Sequence, residues 1–306
     1  MRVFNELGPQ IGARIADAVP GVEVVDLPLD DDDPRTAEVY FGGVGSGAAR
    51  TDVLERGVRW VALASTGIDR APTGLFADDR IVTCARGAAA VPISEFVLGA
   101  MLAFEKSIPD VWITEPPEHW NLLRLGGLQG RTLGLVGLGG IGTAIAQRAT
   151  AFDMRVVATR RRATPSHVEG VALVALDDLL GAADHLVLAA PATERTRRII
   201  DRRAFELVRP GVHLVNIARG ALVDQEALRI ALDDGRVAMA TLDTMEPEPL
   251  PAGHWLYDHP RVRVSAHVSW SSPAGIDRTV RQFVENLRRY IAGEALLGVV
   301  DPTEGY

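Results

Sequence analysis

Beyond Gly130 the chain alternates two kinds of stretch: short apolar runs at 131–136, 155–159, 184–189, 212–217, 237–243 and 262–266, separated by segments with helical spacing. Strands alternating with helices predict a parallel sheet covered on both faces. Residues 1 to about 94 repeat the theme on a smaller scale. Strand candidates at Val22 to Leu27 and Trp60 to Ala64 alternate with helical stretches at Ile11 to Val19 and Asp52 to Arg56, which predicts a small α/β unit. From Ile93 to Phe104 the apolar residues are dense enough for a buried helix, with Pro92 in its first turn. The segment Ile108 to Asn121, with Pro109, Pro116 and Pro117, breaks both periodicities and reads as a linking loop. A final amphipathic helix opens with Ser272 as N-cap and Pro273 behind it. It places Ile276, Val280, Val284, Leu287 and Ile291 on one face and stops at Gly293.

One strand-to-helix junction carries chemistry. Gly137-Leu138-Gly139-Gly140-Ile141-Gly142 forms a GxGxxG run between the strand ending at Val136 and the next helix. Gly137 permits the tight turn, Gly139 lets backbone approach a pyrophosphate, and Gly142 lets the helix pack on its strand. The helix N-terminus offers N–H groups and a positive dipole end to the phosphates. About 20 residues downstream, an acidic residue ordinarily grips the ribose hydroxyls of NAD. Here the second strand ends Ala158-Thr159-Arg160-Arg161-Arg162. Guanidinium forks in place of a carboxylate suit a 2'-phosphate, so the preferred cofactor is NADP, with NAD possible if those arginines are only a solvated loop.

Composition narrows the classes. At 306 residues the chain has room for about two domains, and 47% hydrophobic with 24% charged residues is the balance of an ordinary globular protein. The longest apolar run, Leu133 to Ala146, is glycine-studded and shorter than the roughly 18 residues that span a bilayer. The N-terminus lacks the basic start and apolar core of a secretory signal, so no export is expected. Cys84 is the only cysteine, which rules out an intrachain disulfide and a cysteine-rich zinc site and fits a reducing, cytoplasmic setting. No metal site is expected. A net charge of -8 argues against broad contact with nucleic acid, although Arg160 to Arg162 and the Arg195 to Arg203 region leave room for a compact anion site. The acidic run Asp30 to Asp33 reads as a solvated loop.

Three polar residues fall near the carboxyl ends of later strands, where open α/β sheets bind their ligands: Arg219, Glu248 and His267. Arg219 offers planar donors matched to a carboxylate and a neighbouring carbonyl oxygen. An imidazole titrates near neutral pH, so His267 suits delivery of a proton to an oxygen that becomes a hydroxyl. Glu248 suits orienting that imidazole and favouring its charged form. Singly each residue has a plainer role, as a loop arginine on strand carbonyls, a solvated glutamate and a strand-end histidine. Jointly, downstream of a dinucleotide fingerprint, they favour hydride transfer to a 2-oxo acid.

At these residues the chain resembles the D-isomer-specific 2-hydroxyacid dehydrogenase family, glyoxylate/hydroxypyruvate reductases included, over nearly its whole length. The resemblance rests on GLVGLGGIG at 134–142, PATERT at 191–196, NIARGALVD at 216–224, LDTMEPEPLP at 242–251 and AHVSW at 266–270. It implies a Rossmann-type doubly wound parallel sheet domain over 95–270. A smaller flavodoxin-like α/β substrate domain, 1–94 plus 271–306, would accompany it, with the active cleft between the two. It implies that Arg219 binds substrate, that Glu248 pairs with His267, that Asp243 touches the nicotinamide amide, and that Pro191, Thr196 and Ala218 line the cofactor cleft. Ser65-Thr66-Gly67-Ile68-Asp69 resembles the loop whose amides receive the substrate carboxylate. The family is usually dimeric through its nucleotide domains, and the segment from Trp112 to Trp120 is a place where such an interface could form. The expected reaction is reduction of a small 2-oxo acid, glyoxylate or hydroxypyruvate, to the D-hydroxy acid. A cofactor-sensing protein like the co-repressors of this fold, and a phosphite-type oxyanion dehydrogenase, are the alternatives. Two departures stand out: Arg160 where NAD-using relatives carry aspartate, and Ser269-Trp270 where small residues usually follow the histidine.

Overall fold

Short apolar segments in the first part of the chain pair side by side, all parallel. They are β1 (Arg2–Asn5), β2 (Glu23–Asp26), β3 (Val39–Gly42), β4 (Trp60–Leu63) and β5 (Ile81–Cys84), with α1 (Pro9–Ala18) and α2 (Thr51–Leu54) between them. The computed structural model describes residues 1–30, 32–43, 51–69, 73–76, 79–161, 166 and 168–301. Asp31 of the acidic run, Arg162 and the tail to Tyr306 lie outside the described residues. Among the described residues the strand order is β2-β1-β3-β4-β5, the flavodoxin-like winding. Successive strand side chains point to opposite faces, so Tyr40, Val61 and Val82 face one apolar layer while Val39, Phe41, Trp60 and Ala62 face another.

The closing helix, Pro273–Ala292, covers that second layer with Val280, Phe283, Val284 and Leu287. The rings of Phe41 and Phe283 stack at 4.0 Å. The Ser272 hydroxyl accepts the Gly275 N–H at 3.0 Å, and Gly293 leaves the helix in the left-handed region at φ 71°. The covered stripe is narrower than the sequence pattern predicts. Ile276 and Ile291, at the two ends of the helix, are exposed.

The longer sheet comprises β6 (Thr132–Val136), β7 (Arg155–Thr159), β8 (Val171–Leu173), β9 (His185–Leu188), β10 (Val212–Asn216), β11 (Val237–Leu242) and β12 (Val262–Val264). Its helices are α3 (Ala90–Glu105), α4 (Gly140–Thr150), α5 (Leu176–Ala182), α6 (Arg202–Leu207), α7 (Gln225–Asp233) and α8 (Trp255–Asp258). Its order, β12-β11-β10-β9-β6-β7-β8 and all parallel, is doubly wound, with the direction of growth reversing between β6 and β9. That reversal opens a crevice at the carboxyl ends of the strands, where this architecture takes ligands. β8 is absent from the sequence-predicted runs. The chain divides into two compact units, Met1–Ala89 with Ser271–Tyr306, and Ala90–Trp270. No helix among the described residues is long and apolar enough to cross a membrane.

The second unit also buries a polar chain that runs from the end of α3 across β9, β10 and β11. His185 Nε2 lies 3.2 Å from Glu105 Oε1, His185 Nδ1 lies 3.2 Å from His213 Nδ1, and His213 Nε2 lies 2.9 Å from Thr241 Oγ1. The Phe104 ring stacks on His213 at 4.6 Å between centroids. Burial raises the Glu105 carboxyl, but the His185 hydrogen bond and the Arg131 guanidinium outweigh it and hold the group below its ordinary range.

Candidate active site

Gly137 follows β6 at φ 108°, a conformation that side chains resist, and a Cβ there would sit 2.7 Å from the Ala189 carbonyl. A Cβ on Gly142 would meet the Gly137 oxygen at 2.2 Å, so α4 starts flush against the turn. Gly139 is the opposite case: it is exposed, and a Cβ there would meet nothing within 4 Å. Gly139 is also the N-cap of α4 and supplies no side-chain cap to the first turn. Gly140 is exposed and Ile141 half-buried behind it. A bare, uncapped helix start beside open space fits a dinucleotide diphosphate.

The Gly137 N–H donates to the Thr159 carbonyl at 2.9 Å, which brings the end of β7 alongside this turn. Arg160, half-buried, and Arg161, exposed, therefore follow directly at its edge. The 191–196 loop, after β9, is closed by its own threonine. Thr196 Oγ1 donates to the Pro191 carbonyl at 2.7 Å and accepts the Thr193 N–H at 2.8 Å. Thr196 thus shapes the loop, while Pro191 is exposed on it.

Arg219, Glu248 and His267 stand on three consecutive loops at the carboxyl ends of β10, β11 and β12, and these loops are stitched together. Asn216, the buried last residue of β10, accepts the Ala218 N–H on its side-chain oxygen at 3.0 Å and donates to the Arg219 carbonyl at 2.9 Å. Arg219 Nη1 donates to the Ala218 carbonyl at 2.6 Å, and Ala218 itself is buried. Gly220 lies directly against the next loop, since a Cβ there would fall 1.9 Å from the Met245 carbonyl carbon. Within that loop Glu248 Oε1 accepts the Met245 N–H at 3.0 Å. Its other oxygen, Oε2, lies 2.9 Å from His267 Nδ1. The Glu248 side chain is 9% exposed and that of His267 is 32% exposed, so the carboxylate is inside and the imidazole reaches the surface of the site. A carboxylate only accepts, so His267 Nδ1 carries the shared hydrogen and Nε2 is left for another partner.

Asp243 is completely buried just after β11, and its N–H donates to the Asn216 carbonyl at 2.9 Å. Its Oδ1 accepts the Ser265 hydroxyl at 2.6 Å and the Val268 N–H at 2.9 Å, and its Oδ2 accepts the Ser269 N–H at 3.0 Å. Burial raises this carboxyl, but those donors outweigh it and keep the group below the usual aspartate range. In the first unit, Ser65 Oγ donates to the Gly67 carbonyl at 2.9 Å and Thr66 Oγ1 to the Ala85 carbonyl at 3.3 Å. Both hydroxyls are thus engaged by backbone carbonyls, one within the loop and one just after β5.

Sequence reasoning missed Asn216 and Ser265, and it marked Trp270 only as a bulky departure after the histidine; its indole Nε1–H donates to the His267 carbonyl at 2.8 Å. The only signal for Asn216 and Ser265 was a short polar residue at the end of an apolar run.

The family model for the NAD binding domain of D-isomer specific 2-hydroxyacid dehydrogenases matches residues 98–269. The chain is 36% identical over 239 residues to a D-3-phosphoglycerate dehydrogenase of Mycobacterium bovis, covering 74% of this chain and 45% of that one. It thus spans about half the length of such relatives. It is also 36% identical over 203 residues to a hydroxypyruvate reductase of Thermotoga maritima, with 65% and 66% covered. Among solved structures it is similar to a D-isomer specific 2-hydroxyacid dehydrogenase from Xanthobacter autotrophicus, solved with NADPH and MES. That match has 28% identity and a TM-score of 0.84, over 100% of this chain and 99% of that one.

Proposed function

The chain belongs to the D-isomer specific 2-hydroxyacid dehydrogenase family, and from that premise we propose that it reduces a small 2-oxo acid, glyoxylate or hydroxypyruvate, to the D-2-hydroxy acid at the expense of NADPH. The observation that carries this reading is the 2.9 Å contact between Glu248 and His267, a buried carboxylate held against a partly exposed imidazole. Gly137, Gly139, Gly140, Ile141 and Gly142 would hold the cofactor diphosphate, with Pro191, Thr196, Ala218 and Asp243 along the rest of its cleft. When bound, the nicotinamide supplies or receives the hydride.

The protein's own groups do the remainder. The Arg219 guanidinium pairs with the substrate carboxylate and carbonyl oxygen, which fixes the reacting carbon in place. In the first unit, the amides of Ser65, Thr66 and Gly67 are suited to a substrate carboxylate. His267 Nε2 gives its proton to the carbonyl oxygen as the hydroxyl forms, and Glu248 holds the opposite ring nitrogen so that the imidazole neither turns nor changes tautomer. NADP is favoured over NAD because Arg160 and Arg161 occupy the edge of the glycine turn, where guanidinium groups match a 2'-phosphate. The chain acts as a cytoplasmic homodimer. Trp112, Ile113, Trp120, Leu122 and Leu123, each more than half exposed on one segment of the second unit, support a covered surface there.

A spectrophotometric panel tests the reading: NADPH and NADH against glyoxylate, hydroxypyruvate, pyruvate and phenylpyruvate, and NADP or NAD with phosphite. Turnover on glyoxylate or hydroxypyruvate, lost in His267→Asn while cofactor still binds, is expected. Silence with every 2-oxo acid, or full turnover without the imidazole, refutes it. Sedimentation as a monomer at micromolar concentration removes the dimer.

A further inference from the structure

Resting on the reading of His267 as the proton donor, we propose that Asp243 and Trp270 are positioning residues, which hold His267 in a left-handed backbone conformation and thereby aim its ring at Glu248. His267 has φ 55°. A residue with a Cβ is strained in such a conformation and keeps it only where the surroundings over-determine it. Those surroundings are visible. One buried carboxylate, Asp243, binds the chain before the histidine through the Ser265 hydroxyl and after it through the Val268 and Ser269 N–H groups. The remaining freedom, rotation of the His267 peptide, is taken up by the Trp270 indole, whose N–H donates to the His267 carbonyl at 2.8 Å. Asp243 is itself anchored, through its own N–H, to the Asn216 carbonyl, so the histidine turn is referenced to the end of β10.

With the turn fixed on both sides, the imidazole meets Glu248 Oε2 at 2.9 Å. Released to an ordinary extended φ, residue 267 would project its ring in another direction and the pair would open. The two ties differ in depth. Asp243 is fully buried, whereas Trp270 is 47% exposed, so trimming its N–H disturbs little packing.

The test uses the full-length protein and two variants, Trp270→Phe, which keeps a ring and removes the donor, and Asp243→Asn, which turns a donor toward backbone N–H groups. The first readout is the downfield proton resonance of the His267 Nδ1–H in cofactor-free protein, assigned by its loss in His267→Asn. The second is kcat for the 2-oxo acid beside the dissociation constant of NADPH. Trp270→Phe is expected to shift or broaden the resonance and lower kcat about tenfold, with NADPH affinity within about twofold, because displacement by a fraction of an ångström already slows proton transfer. Asp243→Asn is expected to shift the resonance and lower kcat further, with weaker NADPH binding as well, because Asp243 also lines the proposed cofactor cleft. An unchanged resonance and kcat in Trp270→Phe overturn the proposal, as does an Asp243→Asn protein that loses only cofactor affinity. If Asp243→Asn does not fold, Trp270→Phe decides alone. A wild-type protein silent on every 2-oxo acid would sink the proposed reaction, while the resonance would still report on the positioning.

Discussion

Replacing Gly220 by alanine tests whether the loops of Arg219 and Glu248 act as one piece. The added methyl would lie 1.9 Å from the Met245 carbonyl carbon, 2.2 Å from its oxygen and 2.4 Å from the Glu246 nitrogen, all backbone atoms. Ordinary contact begins near 3.4 Å, so the two loops must separate by about 1.5 Å. Arg219 precedes the new methyl by one residue, and Met245 donates to the Glu248 carboxylate, so the displacement reaches the clamp and the orienter together. A misplacement near 1 Å costs about a hundredfold in rate, and overpacking of this kind costs roughly 1–3 kcal/mol in stability. Steady-state assays of Gly220→Ala with glyoxylate should therefore show kcat/KM down about 100-fold. NADPH binding, followed by fluorescence, should change far less, because the glycine turn at 137–142 lies on another loop. Thermal unfolding separates this from global collapse. A variant with wild-type melting and kcat/KM within about threefold of wild type would show that the loops yield independently, and the reasoning would fail.

Arg160→Asp should lower the ratio of NADPH to NADH efficiency by at least about tenfold, since a carboxylate repels a 2'-phosphate and accepts from ribose hydroxyls; parallel kinetics with both cofactors decide it. Burial, with the nearby His185 adding to it, drives the His213 pKa well below its ordinary value. The unfolded chain then takes up a proton near pH ~6.5 that the native chain refuses, so His213 supports stability above that pH and the support is lost as pH falls. Chemical denaturation at pH 7 and pH 5 should show a decline that is shallower in His213→Asn; equal declines would reject this account. Ser272→Ala removes the cap on the closing helix and should cost about 1 kcal/mol in urea titration, with no change in the midpoint disproving a role for the cap.

Much of this architecture is legible without coordinates because its signals are local. The runs at 155–159 and 212–217 are strands since nothing but a sheet buries them, and Ser272, Pro273 and Gly293 mark a helix by chemistry confined to a few residues. β8 carries no local signal that separates it from the loops around it, and the closing helix is exposed at Ile276 and Ile291, because periodicity marks a face without marking how much of it the rest of the fold covers. In the candidate site, residue types pointed to Arg219, Glu248 and His267. The roles of Asn216 and Asp243 as loop staples were hidden, because the groups they bind come from backbone that only the folded chain brings near.

The line of polar side chains from Glu105 to Thr241 has a consequence for how the sheet chooses its alignment. In the neutral pair a carboxylate at one end dictates every hydrogen after it: His185 Nε2–H points to Glu105, His213 Nδ1–H points back to His185, and the Thr241 hydroxyl points to His213. Sliding β9 past β10 by one residue would turn an imidazole to the wrong side and strand its partner without a mate in a dry interior. Apolar neighbours tolerate several sideways fits, whereas this sequence of donors and acceptors admits one. The histidines thus act as a key for strand alignment, cut across the central strands of the sheet.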